Sequence, residues 1–147
     1  MTYLEKLIKN KSSIIFSFLI IFFGCSTLQT LNVSDRQQTF NAPYIQVFKA
    51  ALNYCSEESF AVLLADKELG IINTDYKEAA VTEIYFGKSR AKINFTIKKI
   101  DSTETDVILI VSAEEQGDYG NWSQMTLTEG QAKDYYQKIF EGIESKL

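Results

Sequence analysis

Between residues 41 and 147 the spacing of apolar positions changes from the period of a helix to that of strands and back again. Tyr44, Val47, Phe48, Ala51, Leu52 and Cys55 recur three and four residues apart, which predicts one apolar stripe of a helix ending near Glu58. Asn41 is placed as its N-cap, and Pro43, the single proline, falls in the first turn, where a missing N–H is harmless. Residues 60–65 then read as a strand, 66–70 as a turn and 71–76 as the returning strand. Residues 77–80 are either a loop or the start of a strand resuming through 81–86, with Gly87 and Lys88 as the next break.

The strictest alternation follows. Ala91, Ile93, Phe95 and Ile97 interleave with Lys92, Asn94, Thr96 and Lys98, the pattern of a strand with one wet face. Asp101, Ser102, Thr103 and Glu104 supply turn chemistry, and residues 106–113 run back with apolar residues on both sides. Such a run predicts a central strand covered on both faces, with Ile110 buried. Residues 114–125 read as a polar, glycine-containing loop. Thr126 and Glu129 have the spacing of a capping box, and Ala132, Tyr135, Tyr136, Ile139, Phe140, Ile143 and Leu147 form the stripe of a last helix. The expected fold is α+β: a helix, about four antiparallel strands and a C-terminal helix, with both helices on one face of the sheet in a helix-grip-like arrangement.

The N-terminal stretch has a different character. Lys6, Lys9 and Lys11 precede an apolar run over residues 14–23, and Gly24 and Cys25 follow it. A charged start and a run well short of the roughly 20 residues of a membrane span are the layout of a secretory signal peptide. The segment Phe22-Phe23-Gly24-Cys25 resembles a bacterial lipobox, although a leucine and a small residue usually stand where Phe22 and Phe23 do. The resemblance implies a lipoprotein: residues 1–24 removed as signal peptide, and Cys25 acylated as the new N-terminus. Ser26 after the cysteine resembles lipoproteins sorted to the outer membrane of a Gram-negative cell, with the domain facing the periplasm. Residues 25–40 are polar with scattered aliphatics and no sustained period and read as the lipidated cysteine and a tether, with room for a short first strand near Leu31–Val33, which leaves 41–147 as a single domain. Fifteen flexible residues keep a domain only about 20 Å from its anchor.

The order of elements, together with Gly70-Ile71-Ile72-Asn73-Thr74-Asp75 at a strand start, resembles one domain of the BamC-type outer-membrane lipoproteins, accessory subunits of barrel-assembly machinery. That resemblance spans roughly residues 41–147. It carries over no functional residue, and those lipoproteins have two such domains and a longer N-terminal segment.

Charge narrows the partners. Of 15 basic and 19 acidic residues, the leader takes three lysines and one glutamate, so residues 25–147 hold 12 and 18 and carry a net charge of −6. No basic stripe is present for a nucleic acid, and docking to anionic lipid falls to the covalent anchor. With Cys25 acylated, Cys55 is left without a disulfide partner and is expected as a small buried thiol.

The chain contains no histidine, which removes the commonest general base, the Ser–His and Cys–His nucleophiles and histidine-based zinc sites. It also lacks a P-loop and a Gly-x-Gly-x-x-Gly segment. Glu114, Glu115 and Asp118 are the densest acidic group near a strand end, and Asp101, Glu104 and Asp106 lack the ligand spacing of a calcium loop. Neither cofactor, metal nor enzymatic activity is expected.

Tyr119 and Trp122, the sole tryptophan, lie between Gly117 and the last helix. They are the candidate partner-binding residues if exposed on a loop, whereas Trp122 instead plugs the core if it folds back. Two functions follow: a non-catalytic envelope lipoprotein that binds another protein, or a carrier of a small apolar or lipid-like ligand lined by Tyr85, Phe95, Tyr135, Tyr136 and Phe140.

Overall fold

The computed structural model describes residues 33–79 and 88–147. The expected signal peptide, Cys25, the first part of the expected tether and the expected strand continuation at 81–86 lie outside the described residues. Among the described residues the architecture is α+β: two helices, α1 (Tyr44–Glu57) and α2 (Glu129–Glu144), and an antiparallel sheet. The four strands expected from the sequence are present as β2 (Val62–Asp66), β3 (Ile71–Thr74), β5 (Ser89–Lys99) and β6 (Thr105–Gln116). Three short ones join them: β1 (Gln37–Phe40), β4 (Lys77–Ala79) and β7 (Trp122–Gln124). The main path is β1-β6-β5-β3-β2, with β4 added on β5 and β7 on β6.

Part of the expected tether therefore belongs to the sheet. A 3-10 turn at Val33–Arg36 leads into β1, whose Gln37 and Thr39 donate to the Asp106 carboxylate at 2.7 and 3.4 Å. Segments of three or four residues are too short to show a period, which is why β1, β4 and β7 leave no hydrophobic signature.

Both helices cover one face of the sheet. Val47, Phe48, Ala51 and Cys55 of α1 and Tyr136, Ile139, Phe140 and Ile143 of α2 share one buried cluster with Ile72, Ile93, Phe95, Ile97, Val107 and Leu109. Phe40 closes it at the β1 edge, its ring 6.3 Å from that of Phe140. Burial pushes the Cys55 thiol up to about 11, as for an inert core residue. Gly142 lets the helices approach: a methyl group there would run into the Tyr54 ring.

The caps differ from those predicted. α1 starts after an extended Pro43 with no side-chain cap, and Asn41 takes no such role. The capping box of α2 is Thr128 with Gln131 rather than Thr126 with Glu129: the Thr128 hydroxyl accepts from the Gln131 N–H, and the Gln131 side chain accepts from the Thr128 N–H. In the turn before β3, Gly70 has φ +69 and sits against the Ile97 carbonyl, a place with no room for a side chain.

Two side chains complete the sheet where strands stop short. The Thr74 hydroxyl takes the place of a ladder partner, accepting from the Ile93 N–H and donating to its carbonyl, each at 3.0 Å. On the outer side of β6, between the stretches that pair β1 and β7, the Val111 N–H donates to the Tyr136 hydroxyl at 3.0 Å.

The largest correction concerns β6. Its place in the path, between β1 and β5, is interior as expected. Its second face, however, is not covered by described residues: Leu109 is fully buried, but Ile110 is 47 % exposed. The register explains this. Ile110 lies opposite Asn94 and Ile108 opposite Thr96, in the polar row of β5, while Leu109 lies opposite Phe95 in the buried row. Isoleucine suits a pleated strand on either face, so an unbroken β-branched run does not by itself signal two covered faces.

Candidate functional site

The open face of the sheet carries the chain's densest grouping of aromatic and charged side chains among the described residues. Alternation in β5 puts Arg90 and Lys92 on that face, since Ile93 and Phe95 occupy the other. Register then places Glu114 of β6 directly across from Arg90, and Trp122 of β7 across from Gln116, two residues further along β6. Tyr76, just ahead of β4, arrives from the opposite side of β5, because Lys77 pairs with Ala91.

Arg90 is the centre. Its Nε and Nη2 donate to Glu114 Oε2 at 2.7 and 2.6 Å. The guanidinium carbon lies 4.3 Å from the centroid of the Tyr76 ring and 4.2 Å from that of Trp122, so one aromatic reaches it from the β4 side and one from the β7 side. The Tyr76 hydroxyl donates to Glu114 Oε1 at 2.8 Å, and Lys92 Nζ lies 4.7 Å from the same ring. Contacts of a cation with a ring face contribute roughly 0.5–1 kcal/mol each at exposed sites.

The electrostatics follow the geometry. Hydrogen bonds from Arg90 first and Tyr76 second hold the Glu114 carboxyl below its ordinary range. The same contact works in reverse on the phenol: its bond to Glu114 raises the Tyr76 pKa. Glu114 is thus an anion fixed to a neighbouring cation, and a proton held on it is disfavoured. The Asp101 carboxylate, considered above as part of a cation loop, accepts from the N–H groups of Thr103 and Glu104 at 2.7 and 2.8 Å within its turn, which lowers its pKa.

The two aromatic residues singled out from the sequence part company. Tyr119 is at the tip of the β6–β7 hairpin, 98 % exposed, on a turn closed by hydrogen bonds between Gly117 and Asn121 and from Gly120 to Gly117. Trp122 is neither on a loop nor in the core. It opens β7 and is half-buried against Arg90. Of the expected ligand-lining residues, Phe95, Tyr136 and Phe140 belong to the packed core and Tyr135 is 36 % exposed outside it, while Tyr85 lies outside the described residues. Cys25, the expected lipidation site, also lies outside them.

Tyr76, Arg90 and Lys92 were not picked out from the sequence as site residues, and Glu114 was noted only as part of an acidic group near a strand end. The alternation in β5 does place Arg90 and Lys92 on one wet face. The pairing of Tyr76 with Glu114, 38 residues apart, has no local signature.

No family model matches the chain, and no curated protein matches it. Among solved structures it resembles a DUF4468 family protein from Bacteroides ovatus, with TM-score 0.47 and 10 % identity over 78 % of this chain and 88 % of that one. It also resembles a TBP-like protein from Parabacteroides distasonis, with TM-score 0.45 and 11 % identity over 76 % of this chain and 92 % of that one.

Proposed function

We propose that this chain is a lipid-anchored envelope lipoprotein that acts without catalysis, by binding another protein through the open face of its sheet. The observation that carries the reading is the Tyr76–Arg90–Trp122 stack, with the exposed Ile110 on the same face. Aromatic and arginine side chains held by their neighbours present large contact area at small entropic cost and are enriched where binding energy concentrates. Tyr119 at the adjoining hairpin tip extends that surface. The membrane side rests on the signal peptide and lipobox-like segment. It places acyl chains on Cys25, the anchor in the outer membrane of a Gram-negative cell and the domain in the periplasm. The likeness to BamC-type lipoproteins adds an assembly-accessory role to what is expected.

A photoreactive residue at Ser112, on the open face, tests the partner reading in the full chain in its own cells. Ser112 should yield a discrete adduct that weakens when Arg90→Ala is added, and the same probe at Gln137, on the outside of α2, should not. Equal adducts from both positions would count against the open face. The anchor is tested separately. Cys25→Ala should leave an unprocessed precursor or release the domain from membranes, and an intact mass with residues 1–24 retained and no acyl groups would overturn it.

A further inference from the structure

We propose that the tip of the β6–β7 hairpin, with Tyr119 at its apex, rests in the headgroup layer of the membrane that holds Cys25. This rests on the anchored reading above and adds which part of the domain meets lipid.

The length of the link carries the first half of the argument. Because the 3-10 turn at Val33–Arg36 and β1 belong to the domain, residues 26–32 alone join it to Cys25. Whatever path they take, the steps from Cys25 to Val33 reach no further than about 28 Å, roughly half the reach of the longer tether expected from the sequence. The turn itself is fixed in place: it lies against β6 and α2, with Asp35 Oδ2 3.7 Å from Lys133 Nζ.

Direction carries the second half. β1 runs antiparallel to β6, with Gln37 opposite Ile108 and Phe40 opposite Thr105, so the chain arrives from the side toward which β6 runs. From Ile108 the strand continues to Gln116, about 26 Å, before the hairpin turns. The 3-10 turn takes back at most about 8 Å of that length. The tip therefore stands roughly 20 Å beyond Val33 on the side of the link, and short of near-full extension of the link it meets the surface first. The opposite end of the sheet exposes Leu69 and Ile100, but β1 runs toward that end, which points it away from the membrane.

The chemistry of the tip fits the boundary. Tyr119 is 98 % exposed, on a turn closed by the hydrogen bonds of Gly117 and Gly120. A phenol has an apolar ring and a polar end, which suits the level of the headgroups. Glu115 and Asp118 beside it match a zwitterionic surface and not an anionic one. A single aromatic suffices because the acyl anchor already holds the tip at high local concentration. Held this way, the open face stands on the membrane with the Arg90 cluster near its foot, accessible to a partner.

Single-tryptophan variants of the full acylated chain, in phosphatidylcholine vesicles with and without a nitroxide on the lipid headgroup, test this. Intact mass is read first: a chain without acyl groups overturns the anchor and this contact together, and an acylated chain puts the contact alone at stake. With Trp122→Phe as background, Tyr119→Trp should be quenched at least about twofold by the nitroxide lipid. Asp118→Trp, which keeps Tyr119, should be quenched likewise, so that the signal does not depend on replacing the tyrosine. Leu69→Trp in the same background should keep its emission. No quenching at either tip position in vesicle-bound, acylated protein, or equal quenching at the tip and at Leu69→Trp, would overturn the proposal. No partner enters the assay, so its outcome is separate from that of the open-face reading.

Discussion

Replacing Trp122 by alanine separates a surface role from a core role by magnitude. The ring is half-buried, stands over Arg90 at 4.2 Å and belongs to a three-residue strand outside the core cluster. Its removal forfeits one cation–ring contact, about 0.5–1 kcal/mol, and cross-strand packing of roughly 0.2–1 kcal/mol. The expected loss is therefore about 1–2 kcal/mol, against about 3–5 kcal/mol for truncating a tryptophan in a packed core. For a domain of this size that is a fall in melting temperature of about 4–8 °C. If the ring anchors a partner, binding should weaken about thirtyfold in the same variant. Because the chain has a single tryptophan, its fluorescence reads this cluster directly. Arg90→Ala should shift the emission to the red by opening the ring to water. A fall in melting temperature beyond about 12 °C for Trp122→Ala would put the ring in the core and refute the reasoning.

Three other perturbations probe the fold around the site. Ile110→Asp should leave the domain folded with a small loss of stability, whereas Leu109→Asp, one residue away and fully buried, should abolish the cooperative thermal transition; equal melting curves would mean that the faces of β6 are misplaced. Gly142→Ala should destabilise by about 1–3 kcal/mol through its collision with the Tyr54 ring, and much of that loss should return in the double variant with Tyr54→Ala, as chemical denaturation would show. The Glu114 carboxyl is held below its ordinary range when folded, so the unfolded chain takes up that proton first. Its stabilisation is complete above the unfolded pKa of about 4.3 and is lost as pH falls from there through the folded value. The difference in melting temperature between parent and Glu114→Gln should accordingly narrow in acid, and a constant difference from neutral to acid pH would deny the pairing with Arg90.

Where a segment repeated its pattern over ten or more residues, the sequence was legible. The stripes of α1 and α2 and the alternation of β5 matched the buried sets at most positions: Tyr44, Leu52 and Ala91 are only partly buried, Ala50 is buried outside the predicted stripe, and Tyr135 and Leu147 are more exposed. Ile110 shows what such patterns omit: whether a second layer exists above a strand depends on the rest of the chain, not on the strand. The displaced capping box has a similar cause, since Thr126 and Thr128 stand two residues apart with acceptable partners and only the path of the preceding chain selects between them. At the candidate site, the local part was readable, namely two cations on one face of β5. Tyr76 sits just ahead of β4 and Trp122 opens β7, strands of three residues with no period of their own, so nothing local shows that both rings reach Arg90.

The bond from the Val111 N–H to the Tyr136 hydroxyl joins the motion of α2 to that of the sheet. Most strand amides are shielded from solvent hydrogen by a neighbouring strand, and their exchange reports the opening of a ladder. This one is shielded by a helix, at a seam where β1 has ended and β7 has not begun. Its exchange rate therefore clocks the lifting of α2 from the sheet, separately from unzipping of the β5–β6 hairpin, and a single amide divides the domain's openings into two kinds.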